Sequence, residues 1–309
     1  MSHDSDSPSR HRVLLFFIDG IGVGSDDPDR NVLATGEFPT LRLTESQRPD
    51  SGAGPPELAR GLDPSMGVPG LPQSATGQTS ILTGVNAPGH MGMHISGFPG
   101  PGLKALLFEH SILKRVRESG RDATFLNAFR PSFFTTPERE RRLSATSLAT
   151  LASGAPFRTW EDVVEGRAVV HDLTHWRVRE RGYDIPLRAP EEAGAVIARE
   201  AMRQDFSLFE YFETDRAGHD RDRERARRCL GDVDRALDTV LRTVDLGTTT
   251  VLVASDHGNL EDSTVKTHTL NPAFFAAWGA GVNENGASVR ALTDLAPLVL
   301  RLVGATSAA

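Results

Sequence analysis

The stretch that decides the fold is residues 249–254 (TTVLVA), followed at once by residues 255–259 (SDHGN). The first six residues are apolar or β-branched without alternation, which is typical of a strand buried on both faces of a parallel sheet. The strand ends in the adjacent pair Asp256 and His257, and His268 follows shortly afterwards. Carboxylates and imidazoles are metal ligands, and strand ends hold ligands rigidly. The stretch therefore predicts a metal site at the carboxyl edge of a sheet.

Similar apolar runs elsewhere in the chain predict further strands, at residues 13–18, 124–129 and 206–212. Helical patterns lie between and after them, at residues 111–119, 190–203, 221–244 and 289–303. Strands that alternate with helices indicate βαβ units. We therefore predict an α/β fold with a doubly wound, mostly parallel sheet and helices on both faces.

Two regions interrupt this alternation. Residues 50–73 are rich in Gly and Pro and are predicted to form a loop. Residues 130–188 contain a predicted helix at 144–152 and a charged stretch, and we interpret the region as an insertion that forms a small lid. The expected organisation is one α/β catalytic domain over residues 12–309, preceded by a flexible polar tail at residues 1–11.

Composition excludes several classes of protein. The chain of 309 residues has a formal net charge of −7, so no basic excess indicates nucleic-acid binding. The single Cys229 excludes an intrachain disulfide and fits a reducing compartment. No segment approaches the roughly 20 consecutive apolar residues of a membrane-spanning helix. These features predict a cytoplasmic protein without a membrane segment.

Asp19 follows the first predicted strand and precedes the glycine-rich turn at residues 20–24 (GIGVG). A dinucleotide-binding G-x-G-x-x-G pattern would require glycine at position 25, where the chain has Ser25. Dinucleotide binding is therefore a minor alternative. An Asp in this position is also a common turn or cap residue, so Asp19 alone does not define a site.

Asp215 and His219 follow the predicted strand at 206–212 with a spacing that places both side chains on one side of a helical turn. A solvated charged loop is the alternative. The same spacing recurs without carboxylate neighbours in two other pairs, which we interpret as structural: His90 with His94, and His171 with His175.

Ser74 stands between the Gly/Pro-rich loop and a short amphipathic segment, which is the usual position of a helix N-cap. The same position suits a nucleophile, because the positive end of the helix dipole favours an incoming phosphate. Three other hydroxyls compete with it, and spacing alone leaves them open: Thr76, Thr79 and Ser80.

Taken together, the chain resembles the alkaline phosphatase superfamily, above all its branch of cofactor-independent phosphoglycerate mutases and phosphopentomutases. Five motifs carry the resemblance in the family's order: Ile18-Asp19-Gly20, Ser74-x-x-Gly77, Asp215-x-x-x-His219, Asp256-His257-Gly258-Asn259-x-Glu261 and His268-Thr-x-Asn271-Pro272. The family's nucleophile stands three residues before one Gly and ten before another, which implies Ser74. The formylglycine motif of sulfatases is not matched, because Thr76 and Gln78 replace its Pro and Arg.

The resemblance also implies two divalent metal ions. Asp215, His219 and His268 would bind one ion, and the other would be bound by Asp19, Ser74, Asp256 and His257. This mixed nitrogen and oxygen set favours Mn²⁺ or Zn²⁺, and Mg²⁺ is the less suited alternative because it prefers oxygen ligands alone. The implied activity is phosphoryl transfer, and the partner is a small-molecule phosphate ester that phosphorylates Ser74.

Departures from the mutase pattern favour hydrolysis. The related mutases insert a large domain soon after the nucleophile helix, whereas here the core is predicted to resume with the helix at 111–119 and the strand at 124–129. Gln78 replaces the mutases' usual His. A phosphomutase is the second hypothesis, and a non-catalytic metal-binding homologue is the third. Residues 85–105 and 130–188 are expected to determine which ester is bound.

Overall fold

A computed structural model describes residues 10–137 and 141–305, so that most of the predicted tail at 1–11 lies outside the described residues. The strands in these ranges are β1 (Arg12–Ile18), β2 (Leu58–Leu62), β3 (Ala123–Phe125), β4 (Phe206–Tyr211), β5 (Thr249–Ala254) and β6 (Ala273–Trp278). They form one sheet in the order β2-β6-β5-β1-β4-β3. Only β6 runs opposite to the other described strands. The predicted α/β fold with a mostly parallel sheet is confirmed.

Helices connect and cover the strands. In chain order they are α1 (Ser74–Thr83), α2 (Ala87–Met91), α3 (Pro101–His110), α4 (Ile112–Glu118), α5 (Pro131–Thr135), α6 (Ala145–Ser153), α7 (Trp160–Val164), α8 (Trp176–Glu180), α9 (Pro190–Ala201), α10 (Glu213–Asp220), α11 (Arg223–Thr243), α12 (Val282–Asn285) and α13 (Leu295–Leu302). Short 3₁₀ helices span Val32–Thr35, Pro39–Leu41 and Leu292–Asp294. Local sequence explains the start of the longest helix, α11, because the Asp222 side chain caps its first turn.

Alternate residues of β1 enter two separate apolar layers. Leu14, Phe16 and Ile18 pack on the side of α9 and α11. Val13, Leu15 and Phe17 pack on the opposite side, with residues of α1, α4, α6 and α13. Because both faces of the central strand are covered, neither set of positions is polar. This two-sided burial is the physical origin of the continuous apolar run in the sequence.

The structure differs from the predicted elements at the edges of the sheet. β2 lies inside the segment that was predicted to be a loop, and β6 was not predicted. β3 ends at Phe125, and Asn127 and Ala128 form isolated bridges to Val169 and Arg158 instead of extending the strand. The last predicted helix is divided into a 3₁₀ turn and α13. These differences leave the three central strands unchanged.

The predicted insertion at 130–188 contains two kinds of structure. Leu148 and Ala149 of α6 pack into the main apolar layer beside α4. The segment with α7 and α8 instead has a small apolar cluster of its own, formed by Val163, Ala168, Val170, Val178 and Ile185. We name residues 154–188 the cap segment. Within the described ranges, no helix has both the length and the apolar character that crossing a membrane requires.

Candidate metal centre

The candidate ligands meet at the carboxyl ends of three adjacent parallel strands. β1 lies between β4 and β5, with Ile18 beside Tyr211 and Phe17 beside Ala254. Asp19 leaves the end of β1, Asp256 and His257 leave the end of β5, and α10 follows β4. Strand order therefore brings together residues that are far apart in the chain.

Asp215, His219 and His268 form the first cluster, with ligand atoms that all lie within 4.8 Å of one another. Asp215 Oδ2 is 3.4 Å from His219 Nε2, and Asp215 Oδ1 is 3.5 Å from His268 Nε2. The two Nε2 atoms are 3.2 Å apart. The structure thus brings these three predicted ligands together.

Backbone carbonyls fix the orientation of the two imidazoles in this cluster. His268 Nδ1 is 2.7 Å from the Pro72 carbonyl oxygen, and His219 Nδ1 is 2.8 Å from that of Lys266. A carbonyl only accepts, so each Nδ1 donates and each Nε2 of a neutral ring presents a lone pair. When both rings are neutral, two lone pairs and a carboxylate face one another without a donor. Although burial opposes the change, the hydrogen bond with Asp215 raises the pKa of His268, and a bound cation would take the place of that proton. This arrangement fits a metal cation and is the usual outer support of a metal-bound His.

The second cluster lies beside the first and shares Asp215 with it. Ligand atoms of Asp19, Asp215 and His257 lie within 4.8 Å of one another. His257 Nε2 is 3.4 Å from Asp19 Oδ1 and 3.4 Å from Asp256 Oδ2. Both Asp256 and His257 are fully buried. Asp19, Asp256 and His257 are therefore in one place, and Asp215 joins them to the first cluster.

The charge balance of this cluster also fits a cation. Burial, and then the carboxylates of Asp256, Asp215 and Glu210, raise the pKa of Asp19 well above its ordinary value. The buried Asp19 Oδ1 atom has no hydrogen-bond partner among the described residues. Crowded carboxylates with an unsatisfied oxygen remain ionised only when positive charge lies between them. The donor set and its electrostatics both fit divalent metal ions.

Ser74 is the first residue of α1, and Gln73 occupies the N-cap position. The N-cap interpretation of Ser74 is therefore wrong: its Oγ atom lies 3.0 Å from His257 Nε2, beside the second cluster. The three competing hydroxyls point elsewhere. Those of Thr76, Thr79 and Ser80 donate to the backbone carbonyls of Gln73, Ala75 and Thr76 respectively.

Close backbone approach holds α1 and α10 against the strand ends. A Cβ atom at Gly77 would lie 3.0 Å from the Asp256 Cβ, so a larger residue would push α1 away from β5. Gly20 has φ +72°, and a Cβ there would lie 2.8 Å from the Asp215 side chain. These glycines set the distance between the helices and the carboxylates.

Gln78 and Asn259 support the site in ways that the sequence analysis did not identify. Gln78 Nε2 donates to Asp19 Oδ2 at 3.1 Å and to Asp256 Oδ2 at 3.2 Å. Asn259 Nδ2 donates to Asp215 Oδ1 at 2.7 Å. Both amides orient carboxylates that the motifs had already indicated. Asn259 belongs to the motif that begins at Asp256, so the sequence did indicate that this position matters to the site.

Glu261 links three of the loops that form the centre. Its buried carboxylate accepts the backbone N–H groups of Gly22 and Asn259, both at 2.8 Å. It also accepts the Thr269 hydroxyl and the Asn271 amide. The glycine-rich turn after β1 thus contacts a carboxylate where a dinucleotide would place its pyrophosphate, which argues against the dinucleotide alternative.

Glu210 is a further buried acid beside the centre, and it is the only charged residue of the mostly apolar strand β4. Burial raises its pKa to about 7, although the Thr146 hydroxyl donates to Glu210 Oε2 at 2.6 Å and opposes that rise. A charged residue within an apolar strand is a sequence signal for a functional position, and the sequence analysis overlooked it.

The remaining histidine pairs are outside both clusters. His94 Nε2 lies 3.2 Å from the Val68 carbonyl oxygen, and His175 Nδ1 lies 2.8 Å from that of Pro186. His171 stacks on Phe212 with ring centroids 4.4 Å apart. His171 also lines the cavity that contains Arg181 and Arg216, so the structural interpretation of the pairs stays a prediction.

Each sequence comparison matches less than half of the chain. The profile of the Metalloenzyme superfamily matches residues 182–307, a range that includes five of the seven candidate ligands. The 2,3-bisphosphoglycerate-independent phosphoglycerate mutase of Roseobacter denitrificans is 30% identical over 136 residues, covering 40% of this chain and 26% of the mutase. The corresponding enzyme of Wolinella succinogenes is 29% identical over 130 residues. The chain thus spans about a quarter of the length of these curated relatives.

Structural comparisons cover nearly the whole chain. The PH0037 protein from Pyrococcus horikoshii has a TM-score of 0.58 at 14% identity, covering 96% of this chain and 98% of that one. Alkaline phosphatase from the Antarctic bacterium TAB5 has a TM-score of 0.56 at 11% identity, covering 96% and 99%. At such identities the likeness shows the fold. The chain therefore has an alkaline-phosphatase-like fold, and its residues 182–307 are similar to the Metalloenzyme superfamily. The two clusters support divalent metal binding.

Proposed function

We propose that the chain hydrolyses a small-molecule phosphate ester in a metal-dependent reaction that phosphorylates Ser74. One observation carries the proposal: Ser74 Oγ lies at the start of α1, 3.0 Å from His257 Nε2 and beside two clusters of carboxylates and imidazoles. A binding protein has no use for a hydroxyl in this position. The helix dipole of α1 adds a favourable potential for the incoming phosphate.

The ligand assignment follows the two clusters. Asp215, His219 and His268 are proposed to hold one ion. The other is assigned to Asp19, Ser74, Asp256 and His257. When bound, such ions neutralise the phosphate oxygens and lower the pKa of a coordinated hydroxyl. Mn²⁺ and Zn²⁺ suit these donors better than Mg²⁺.

The proposed covalent chemistry uses Ser74 twice. Ser74 Oγ forms a bond to phosphorus as the bond from phosphorus to the ester oxygen breaks, and the Ser74 proton leaves with the alcohol. Water then attacks the phosphoserine, the bond from Oγ to phosphorus breaks, and a water proton returns to Oγ. The products are the alcohol and inorganic phosphate. Gln78 and Asn259 hold the carboxylates in place during both steps.

The short region between α1 and β3 favours hydrolysis over isomerisation. Between α1 and β3 the described chain contains only α2, α3 and α4, and residues of α3 and α4 pack in apolar clusters with α1. This is the place where the related mutases insert a large domain that retains the substrate. Phosphomutase activity is the second candidate, and sequence similarity to the phosphoglycerate mutases supports it.

The test is a screen of phosphate esters with the Mn²⁺-, Zn²⁺- or Mg²⁺-loaded protein, in which free phosphate and isomerised product are measured separately. Ser74→Ala is expected to lower turnover at least about a thousandfold, because removal of a nucleophile disables the whole catalytic unit. The matched control is Ser65→Ala, which removes a hydroxyl bonded to Asp63 in an exposed turn. Isomerised product without free phosphate would favour the mutase. Unchanged turnover by Ser74→Ala would refute the mechanism.

A further inference from the structure

The site around Ser74 continues into a second cavity. Asp19, Ser74, Gln78 and Asp215 line the first space. An adjacent cavity of about 290 Å³ shares five of the first one's lining residues: Phe98, Ser144, Glu210, Phe212 and Arg216. A substrate bound through its phosphoryl group at Ser74 can therefore extend directly into this second space. Its size is close to the lower end of the range of ligand sites.

The second cavity is lined by cations. Arg130, Arg142 and Arg181 lie around it, and Arg216 stands in the wall shared with the first space. Among its described lining residues the sole carboxylate is Glu210, whose pKa is raised to about 7. Four guanidinium groups therefore face one partly protonated acid. We name this space the arginine cavity.

Aromatic rings, more than carboxylates, position these guanidinium groups. Arg142 lies over the Phe98 ring with its Cζ atom 4.5 Å from the centroid, and Arg216 lies over Phe212 at 4.7 Å. A guanidinium on the face of a ring keeps its N–H donors, which lie in the guanidinium plane, available to a ligand. Arg216 also donates a hydrogen bond to Glu213, so fewer of the Arg216 N–H groups remain for a ligand.

Arg181 shows that this positive charge is not fully compensated. It forms no salt bridge with any carboxylate of residues 10–137 and 141–305. Partial burial, and then the neighbouring charges of Arg216 and Arg130, lower the pKa of Arg181. An anion between these groups would relieve the repulsion and accept charge-assisted hydrogen bonds.

We propose that the arginine cavity binds a second anionic group of the substrate, a carboxylate or a phosphate, at the end remote from the phosphoryl group that Ser74 accepts. The inference rests on the proposed function for the identity of the transferred group. It narrows the substrate class to phosphate esters that carry a second negative charge on the alcohol part. Esters of neutral alcohols fill the same space without satisfying its donors, and they bind less tightly.

The test compares non-hydrolysable ligands of matched size by calorimetry with the Mn²⁺-loaded protein. The probes are plain alkylphosphonates, ω-carboxyalkylphosphonates and ω-phosphonoalkylphosphonates in series of increasing chain length. At the best length the doubly anionic probe is expected to bind about 10- to 100-fold more tightly than the plain one. The carboxylate and phosphonate series distinguish the two kinds of second anion.

Three variants locate the effect. Arg181→Gln and Arg142→Gln are each expected to reduce the affinity ratio between doubly and singly anionic probes towards one. The control Arg227→Gln removes a guanidinium that pairs with Glu37 on the surface, and it keeps the wild-type ratio. Matching circular dichroism spectra and melting temperatures establish that the variants are folded.

Equal binding of plain and doubly anionic probes by the wild-type protein at every length would overturn the inference. So would a retained ratio in both Arg181→Gln and Arg142→Gln, or failure of every phosphonate to bind. Phosphonate binding requires no turnover. A protein that binds doubly anionic probes preferentially but releases no phosphate from any ester would refute only the proposed hydrolysis, whereas hydrolysis without discrimination would refute only the arginine cavity.

Discussion

The candidate metal centre and the arginine cavity are neighbours, but their polar groups are held in different ways. In the candidate metal centre, Asp256 and His257 are fully buried at the end of β5. Amide and carbonyl groups that are distant in the sequence orient the ligands. In the arginine cavity, Arg130, Arg142 and Arg181 are exposed. Two of the cavity's four arginines rest on phenyl rings.

Because of this difference, the residues proposed for the reaction and those proposed for substrate recognition lie on separate parts of the fold. The candidate metal centre lies at the ends of strands that are covered on both faces, so the positions of its ligands depend on the packing of the core. The arginine cavity draws Arg181 from the cap segment and Arg130 and Arg142 from the flanks of α5 and α6. We therefore expect changes in those surface segments to alter which ester is bound without moving the candidate metal ligands, as is usual for loops on a rigid scaffold.

Asp215→Asn is expected to have the largest effect, because one uncharged amide weakens both clusters at once. We expect turnover to fall at least about a thousandfold and bound metal to decrease. Metal analysis and steady-state kinetics measure these effects. Asp220→Asn, at the exposed end of the same helix, is the control. Normal metal content and turnover in Asp215→Asn would contradict the assignment of the centre.

Glu210 lies in the wall that the two spaces share, and Glu210→Gln tests its effect on the pH dependence of stability in the metal-free protein. Burial raises the pKa of Glu210 from 4.5 to about 7, so the unfolded state releases this proton first and stability falls as pH rises between those values. The loss amounts to about 3 kcal/mol when complete. Glu210→Gln is expected to flatten the difference between pH 5 and 8 in urea unfolding. An unchanged slope would show that Glu210 is ionised throughout.

Asn259→Ala is expected to lower metal affinity or turnover by about 10- to 100-fold, because it removes the donor that orients Asp215 Oδ1. Asn285→Ala provides a matched control, since within the described residues its side-chain amide bonds only the Gly281 carbonyl at the start of α12. Zinc or manganese titration with a competing chelator measures the effect. Equal affinities of Asn259→Ala and wild type would mean that the carboxylate is positioned without this bond.

Phe98→Ala is expected to have the smallest effect. It removes the ring beneath Arg142 and leaves the metal ligands intact. Loss of a cation–π contact at an exposed site predicts a decrease of about 2- to 5-fold in the affinity for doubly anionic phosphonates. Phe108→Ala, an exposed ring on α3 outside both spaces, is the control. An equal decrease for plain phosphonates would assign Phe98 to general packing instead of anion recognition.

The sequence predicted the central strands well and the sheet edges poorly. β1, β4 and β5 are buried on both faces, and continuous apolar runs record that burial directly. β2 (LARGL) is half-buried at an edge and contains Gly and Arg, so no run marks it. β6 is rich in Ala, a weak strand former, and follows Pro272. β3 was predicted too long because the mostly apolar run continues to Phe129, although the chain leaves the sheet after Phe125.

The site was predictable where a motif carries the chemistry itself. Asp19, Ser74 and His257 stand at strand or helix ends, so their proximity follows from topology. The supporting contacts were not predictable in the same way. Gln78 reaches Asp256 across 178 residues of sequence, and the four arginines converge only through the packing of α5, the cap segment and α10. Such contacts depend on side-chain packing that one sequence does not record.

Asp215 belongs to both clusters, and this has a consequence for how the protein responds to metal supply. If each cluster binds one ion, as proposed, occupancy of either cluster changes the charge and orientation of the Asp215 carboxylate, which also belongs to the other cluster. By thermodynamic reciprocity, each ion then alters the affinity of the other by the same factor, whichever arrives first. A metal titration therefore follows one linked isotherm, and the singly loaded protein is a distinct species, with its own affinity for the second ion.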